Sequence, residues 1–258
     1  MEANLRFKNL IVGSLFASFS ALTGVVQAET LSVAVAANVQ YAFEDLKTAF
    51  KQETGNDLVG TFNSSGKFVA QISNGAPFDV FLSADMEFPE KLYKDGFATA
   101  TPKVYAYGAL VLWTTKNIDL TQWQLALTSN QVAHIAVANP KAAPYGRETM
   151  KVLSALKLDQ GLQPKLVFGE SISQTNQYIH SGVVDVGFTA KSVVLSPEMQ
   201  GQGKWVDVPK STYQPIAQGA VILNYGKEHH AKTAQQFYDF LYSAKARAIF
   251  ERFGYLLP

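Results

Sequence analysis

The stretch FNSSGKFVAQISNGAPFDVFLSA, residues 62–84, decides the fold, because the chain repeats it. Moved by 106 positions it lies without a gap over FGESISQTNQYIHSGVVDVGFTA, residues 168–190. Phe62 then falls on Phe168, Ser65 on Ser171, Gln71 on Gln177, Asp79 on Asp185, Val80 on Val186 and Ala84 on Ala190. The periodicities coincide as well as the letters. Each copy opens on an apolar strand (Leu58–Phe62; Lys165–Phe168) and continues into a helical pattern (Lys67–Ser73; Gln174–Ser181). Each closes on a second strand (Phe78–Ser83; Val184–Phe188).

Working outward, the same grammar continues. Leu31–Ala36 (LSVAVA) reads as a buried strand, and Tyr41–Gln52 as a helix with Phe43, Leu46, Ala49 and Phe50 on one face. Asp85 is placed to cap a helix over Met86–Asp95. Before the second copy stand a strand, Ile135–Ala138, and a helix, Arg147–Leu156. A βαβαβα order run twice predicts an α/β protein in which each lobe is a mixed, mostly parallel sheet flanked by helices. Two further segments match, Gly108–Leu112 (GALVL) and Gly219–Leu223 (GAVIL). Read as two hinge strands joining the lobes, they assign residues 29–108 with 220–258 to lobe one and 109–219 to lobe two. The last helical stretch, Lys232–Phe253 with a break near Ser243, is expected to pack back onto lobe one. The alternative organisation is a single larger doubly wound domain. Two lobes on a hinge make a ligand cleft.

The chain's ends and charge bound the function. Arg6 and Lys8 precede an apolar core, Leu10–Ala17, and Val26-Gln27-Ala28 offers small residues for a cut after Ala28. Residues 1–28 therefore read as a cleavable secretory signal, the apolar run being too short to span a bilayer. The remaining 230 residues carry 20 basic and 20 acidic side chains, so no overall field draws in nucleic acid or an anionic membrane. There is no cysteine, and a chain of this length reaches stability through its core alone. The expected product works in the periplasm or outside the cell.

Catalytic readings of Ser64-Ser65-Gly66-Lys67 fail or stay thin. A phosphate-binding loop needs four residues between its glycines and Ser or Thr after the lysine; Gly60 and Gly66 enclose five, and Phe68 follows Lys67. The Ser-x-x-Lys spacing of a nucleophile is present, without the further motifs that accompany it in known enzymes. His134, His180, His229 and His230 form no metal-binding spacing, and Asp79 and Asp185 read as a repeated structural role. No enzyme activity and no cofactor are expected.

Anion binding fits better. Four turns end strands and open helices: Ala36-Ala37-Asn38, Ser64-Ser65-Gly66, Pro144-Tyr145-Gly146 and Glu170-Ser171-Ile172. At the carboxyl ends of parallel strands, each offers free N–H groups and the positive end of a helix dipole. Two turns per lobe can surround a small tetrahedral dianion with neutral donors. Lys67 and Arg147 fall in first helical turns, where the dipole opposes a cation, so both are expected to point to solvent.

These residues resemble the molybdate-binding periplasmic proteins of ABC transporters, the ModA-type members of the type II solute-binding fold. The resemblance runs through VAVAANVQYAFEDL, TFNSSGKFVAQISNGAPFDVFLSAD, IAVANPKAAPYGRETM, VFGESISQTNQYIHSGVVDVGF and FYDFLYSAKARAIFERFGY. It implies a monomeric carrier that closes on molybdate or tungstate and delivers it to a membrane permease and its ATPase. It places ligand donors at Asn38 (side-chain NH2), Ser65 (hydroxyl and amide), Tyr145 and Ile172 (amide), with Ala37, Ser64 and Ser171 beside them. A tyrosine that some members carry falls here on Ala190, and the Tyr145 phenol is expected to replace it. Sulfate or phosphate remains the alternative ligand, and an exported Ser–Lys hydrolase the alternative class.

Overall fold

The structure is a computed structural model that describes residues 28–258. Apart from Ala28, the signal-peptide assignment lies outside the described residues. Lobe one begins with β1 (Thr30–Ala36), a 3-10 turn (Ala37–Val39) and α1 (Gln40–Thr54). It continues through β2 (Asp57–Asn63), α2 (Ser65–Ser73), β3 (Val80–Leu82), α3 (Glu87–Lys94) and β4 (Lys103–Gly108). Lobe two holds β5 (Leu110–Thr114), α4 (Trp123–Thr128), β6 (Ile135–Ala138), α5 (Pro144–Ala155), α6 (Asp159–Leu162) and β7 (Leu166–Gly169). After these come α7 (Ile172–His180), β8 (Val186–Ala190), α8 (Lys191–Val194) and β9 (Lys204–Asp207). The chain then returns as β10 (Ile216–Ile222), α9 (Asn224–His229), α10 (Ala231–Phe240) and α11 (Ala244–Arg252).

The two sheets have one topology. Lobe one orders its strands β2-β1-β3-β10-β4 and lobe two β7-β6-β8-β5-β9. In both, the first three strands are parallel and the last two antiparallel to their neighbours. The 106-residue shift therefore maps β2 onto β7, α2 onto α7 and β3 onto β8. The expected role of the paired GA strands needs correcting. β5 and β10 are not the crossings themselves but the strands laid down after them, each fourth in its sheet. The crossings are Ala109 and residues 208–215. Since β10 pairs with lobe one from Ile216 onward, the return precedes the expected boundary at 219–220.

Sequence chemistry accounts for the elements. β1 lies between two parallel neighbours, which is why LSVAVA is apolar on both faces. α1 buries Phe43, Leu46, Ala49 and Phe50 and ends at Gly55, whose φ of +79° suits the left-handed cap. Phe50 meets Phe237 and Phe240 edge-on at 5.3 and 5.5 Å, so the C-terminal helices close lobe one. Their break is at Ser243, whose hydroxyl accepts from the Ala246 N–H at the start of α11. The repeated aspartates do parallel work. Asp79 accepts the Ser32 N–H at 2.7 Å beside β1, and Asp185 accepts Ala133 and His134 N–H groups at 2.8 Å beside β6.

Candidate functional site

The four turns picked out by sequence meet where the carboxyl ends of both sheets face each other. One buried cavity is lined by Ala36, Ala37, Asn38, Asn63, Ser64, Ser65, Ala84, Ala143, Pro144, Tyr145 and Ile172. Six of the seven expected residues are among them. Ser171 stands beside the cavity as the cap of α7, its hydroxyl accepting from the Gln174 N–H.

Backbone geometry gives the cavity its character. Ser65, Tyr145 and Ile172 are the first or second residues of α2, α5 and α7, and Asn38 is second in the 3-10 turn. No carbonyl within a helix can reach the N–H of its first turn. Among the described residues, none of these four N–H groups finds a backbone or side-chain acceptor elsewhere. The donors are two per lobe and lie at positive helix ends. The Ser65 hydroxyl accepts the Ala84 N–H at 3.0 Å, which leaves its own proton to give. The Ser64 hydroxyl is buried without a partner, although Ser64 occupies the N-cap position of α2. No carboxylate lines the cavity. This is a set of neutral donors with no matching acceptor, the composition that receives a small anion.

Two expected roles change. The Asn38 side-chain NH2 does not face the cavity unpaired: it donates to Gln218 Oε1 at 2.8 Å and to the Tyr255 hydroxyl at 3.1 Å. Both hydrogens are engaged, so the side chain acts as a strut and Asn38 offers its backbone N–H. Lys67 and Arg147 do not point to free solvent. Lys67 pairs with Glu170 across the cleft at 2.8 Å. Arg147 crosses in the other direction to Asp85 at 2.9 Å and to Glu87, its guanidinium over the Phe88 ring. An acid on the facing lobe offsets the dipole penalty that solvent was expected to relieve, and neither cation lines the cavity. Burial holds the Asp85 carboxyl above the usual carboxylate range despite the guanidinium beside it.

Tyr145 reaches past the cavity toward the hinge. Its hydroxyl accepts from Gln218 Nε2 at 3.3 Å, and donates to none of the described residues. Burial, followed by the nearby Tyr255 and Tyr213 hydroxyls, pushes its pKa well above that of an ordinary phenol, so it remains a donor. Ala190, at the end of β8, is buried and supplies only a methyl group.

The lobes are shut. Beyond the ion pairs, Gly66 N–H donates to the Ala142 carbonyl, Ser173 to Gln40 and Ser192 to the Asn38 carbonyl, all across the cleft. The room left between the lobes is small, on the order of a single water-sized sphere. A larger hollow of about 360 Å3 lies behind the hinge among Tyr107, Lys210, Tyr213, Pro215 and Leu256, and none of the four turns lines it.

Sequence reasoning missed Gln218, Tyr105 and Tyr255, which support the site from 67 to 217 residues away from Asn38. One signal existed: a glutamine inside the otherwise apolar run IAQGAVIL, residues 216–223.

The profile described as bacterial extracellular solute-binding protein matches residues 31–256. The chain is 40% identical over 235 residues to the molybdate-binding protein ModA of Azotobacter vinelandii, spanning 91% of this chain and 92% of that one. It is 39% identical over 224 residues to the molybdate-binding protein ModA of Rhodobacter capsulatus, spanning 86% of each. The solved structure of the Azotobacter vinelandii periplasmic molybdate-binding protein superposes with a TM-score of 0.83 at 37% identity, covering 88% of this chain and 99% of that one.

Proposed function

The chain belongs to the bacterial extracellular solute-binding proteins, and from that premise we propose that it captures molybdate by closing its lobes and delivers it to an ABC importer. Its partners are the permease and the ATPase of that importer in the inner membrane. It works in the periplasm as a monomer after a cut following Ala28, takes tungstate as a second ligand, and performs no chemistry on either.

One observation carries the reading. Four N–H groups that find no acceptor among the described residues, two from each lobe, converge on a small cavity lined by no carboxylate. A dianion held there receives the N–H groups of Asn38, Ser65, Tyr145 and Ile172, with the Ser65 hydroxyl and the unpartnered Ser64 hydroxyl beside them. Ala37 shapes the wall and Ser171 fixes the start of α7. The free proton of the Tyr145 hydroxyl supports its role as the donor that Ala190 does not supply. Because donors come from both lobes, the ligand binds the closed form better than the open one and shifts the population toward it.

The donor set also selects among oxyanions. Phosphate near neutral pH carries a proton that needs an acceptor, and the lining has no carboxylate to provide one. Sulfate has the same charge and shape as molybdate and differs in size. Calorimetry on the mature protein with molybdate, tungstate, sulfate and phosphate in turn is expected to give tight binding for the first two alone. Tight binding of phosphate, or of none of the four, overturns the reading.

Closure should lean on the cross-cleft cations. Arg147→Ala removes the pair to Asp85, the pair to Glu87 and the contact with Phe88. With the guanidinium partly exposed, the expected loss is about 1 kcal/mol, roughly a fivefold faster release of molybdate. That increment should shrink at high salt. Stopped-flow dissociation at two ionic strengths measures it; a wild-type rate at both would show that the latch contributes nothing.

A further inference from the structure

We propose that Gln218 is a positioning residue that couples the two halves of the anion site, holding Asn38 in lobe one and Tyr145 in lobe two through one side-chain amide. The inference rests on the oxyanion-binding reading above.

Gln218 is fully buried in the middle of β10, among Ile216, Ala220, Val221 and Ile222. A primary amide in such a place costs stability unless its donors and acceptors are filled. Three of the four are filled, from three distant parts of the chain. Gln218 Oε1 accepts from Asn38 Nδ2 at 2.8 Å and from the Tyr105 hydroxyl at 2.9 Å, while Gln218 Nε2 donates to the Tyr145 hydroxyl at 3.3 Å. With the Tyr105 proton shared between Gln218 Oε1 and the Ser83 carbonyl, the amide assigned in this way turns its nitrogen toward Tyr145. The pairing of β10 with β4 shifts register between Gln218 and Gly219, a local irregularity of the kind that re-aims a side chain.

The partners do different work. Asn38 is clamped on every side: its NH2 by Gln218 and Tyr255, and its carbonyl by the Tyr255 and Ser192 hydroxyls at 2.9 and 2.7 Å. That clamp aims the Asn38 N–H into the cavity. Tyr145 belongs to lobe two, whereas β10, Asn38 and Tyr105 belong to lobe one. When the cleft opens, Tyr145 leaves with its lobe, and the Gln218–Tyr145 bond exists only in the closed form. Room for it comes from Gly108, the last residue before the first crossing: a Cβ there would overlap the Tyr145 hydroxyl and lie 2.6 Å from Gln218 Nε2. The same amide that seats a lobe-one donor thus registers the arrival of a lobe-two donor.

The test uses the mature chain, molybdate calorimetry and stopped-flow dissociation on wild type, Gln218→Met, Tyr145→Phe and the double variant. Gln218→Met is expected to speed molybdate release about three- to tenfold, the range of one buried neutral hydrogen bond, while association changes less than about twofold. Tyr145→Phe should also speed release, and the double variant should fall short of the product of the two single effects, because both remove one shared bond. A merely structural residue would lower the melting temperature without moving release. Fully multiplicative effects, or wild-type release from Gln218→Met, overturn the proposal. If Gln218→Met does not melt cooperatively, Gly108→Ala decides, since it pushes the pair apart while both side chains keep their polar groups; wild-type release there also overturns it. Absence of molybdate binding by the wild-type chain rejects the functional reading instead, whereas tight wild-type binding with indifferent variants rejects only the role of Gln218.

Discussion

Gly146→Ala is expected to abolish tight molybdate binding and to destabilise lobe two. Gly146 is the third residue of α5, where the helix start rides directly on the end of β6. A Cβ there would lie 2.6 Å from the Ala138 carbonyl carbon and would overlap its oxygen. The obstacle is backbone in a paired strand, since Ala138 faces Gly169 across the sheet, so it cannot swing aside as a side-chain tip could. The start of α5 must move outward instead, and it carries the Tyr145 N–H with it. Overpacking of this kind costs about 1–3 kcal/mol of stability. Misplacing the Tyr145 amide and hydroxyl forfeits up to two hydrogen bonds to a charged group, each worth about 1.5–3 kcal/mol. Affinity should therefore drop by roughly ten- to a hundredfold if one bond is lost and by more than about a hundredfold if both are. Calorimetry with molybdate beside a thermal melt checks both parts; near-wild-type affinity would mean that the α5 turn does not hold the ligand.

Ser65→Ala is the second large effect, and its signature differs. Ser65 is fully buried and its hydroxyl bridges, accepting the Ala84 N–H and keeping a proton for the cavity. Removing it takes one charge-assisted donor from the anion, an expected loss of about 10- to 100-fold in affinity. It also leaves the Ala84 N–H buried without an acceptor, at about 1–3 kcal/mol, so the ligand-free protein should melt several degrees lower. Ser64→Ala is the control within the same turn. The Ser64 hydroxyl has no partner among the described residues, so its loss should weaken binding without lowering the ligand-free melting temperature. Equal melting temperatures for both variants would contradict the bridging role of Ser65.

These contrasts show where sequence was legible. The strand at Ile135–Ala138 appears with the bounds that its apolar run predicts. The helices of the site begin earlier than their side-chain pattern suggests: α2 at Ser65 rather than Lys67, α5 at Pro144 rather than Arg147, and α7 at Ile172 rather than Gln174. Periodicity registers only where side chains begin to share a buried face, whereas a helix begins where the backbone turns. Those two or three early residues carry the N–H groups that line the cavity, so the difference falls at the candidate site. The turns themselves were still found, because Ser, Pro and Gly at strand ends mark them locally.

Two kinds of information explain the division. Sequence by itself determined the duplication, the two-lobed α/β architecture, and the four helix starts that face the cleft. All of these follow from patterns repeated within a few turns of chain or at a constant offset of 106 residues. Tertiary structure alone decided that the Asn38 side chain is tied to Gln218 and Tyr255 and that Arg147 and Lys67 seek acids on the facing lobe. It alone set the return crossing before Ile216 and placed Gln218 between Asn38 and Tyr145. The reason is physical. A hydrogen bond or ion pair depends on which groups come within about 3 Å and at what angle, and closing the lobes joins residues 60 to 154 positions apart whose own neighbours carry no trace of the partner.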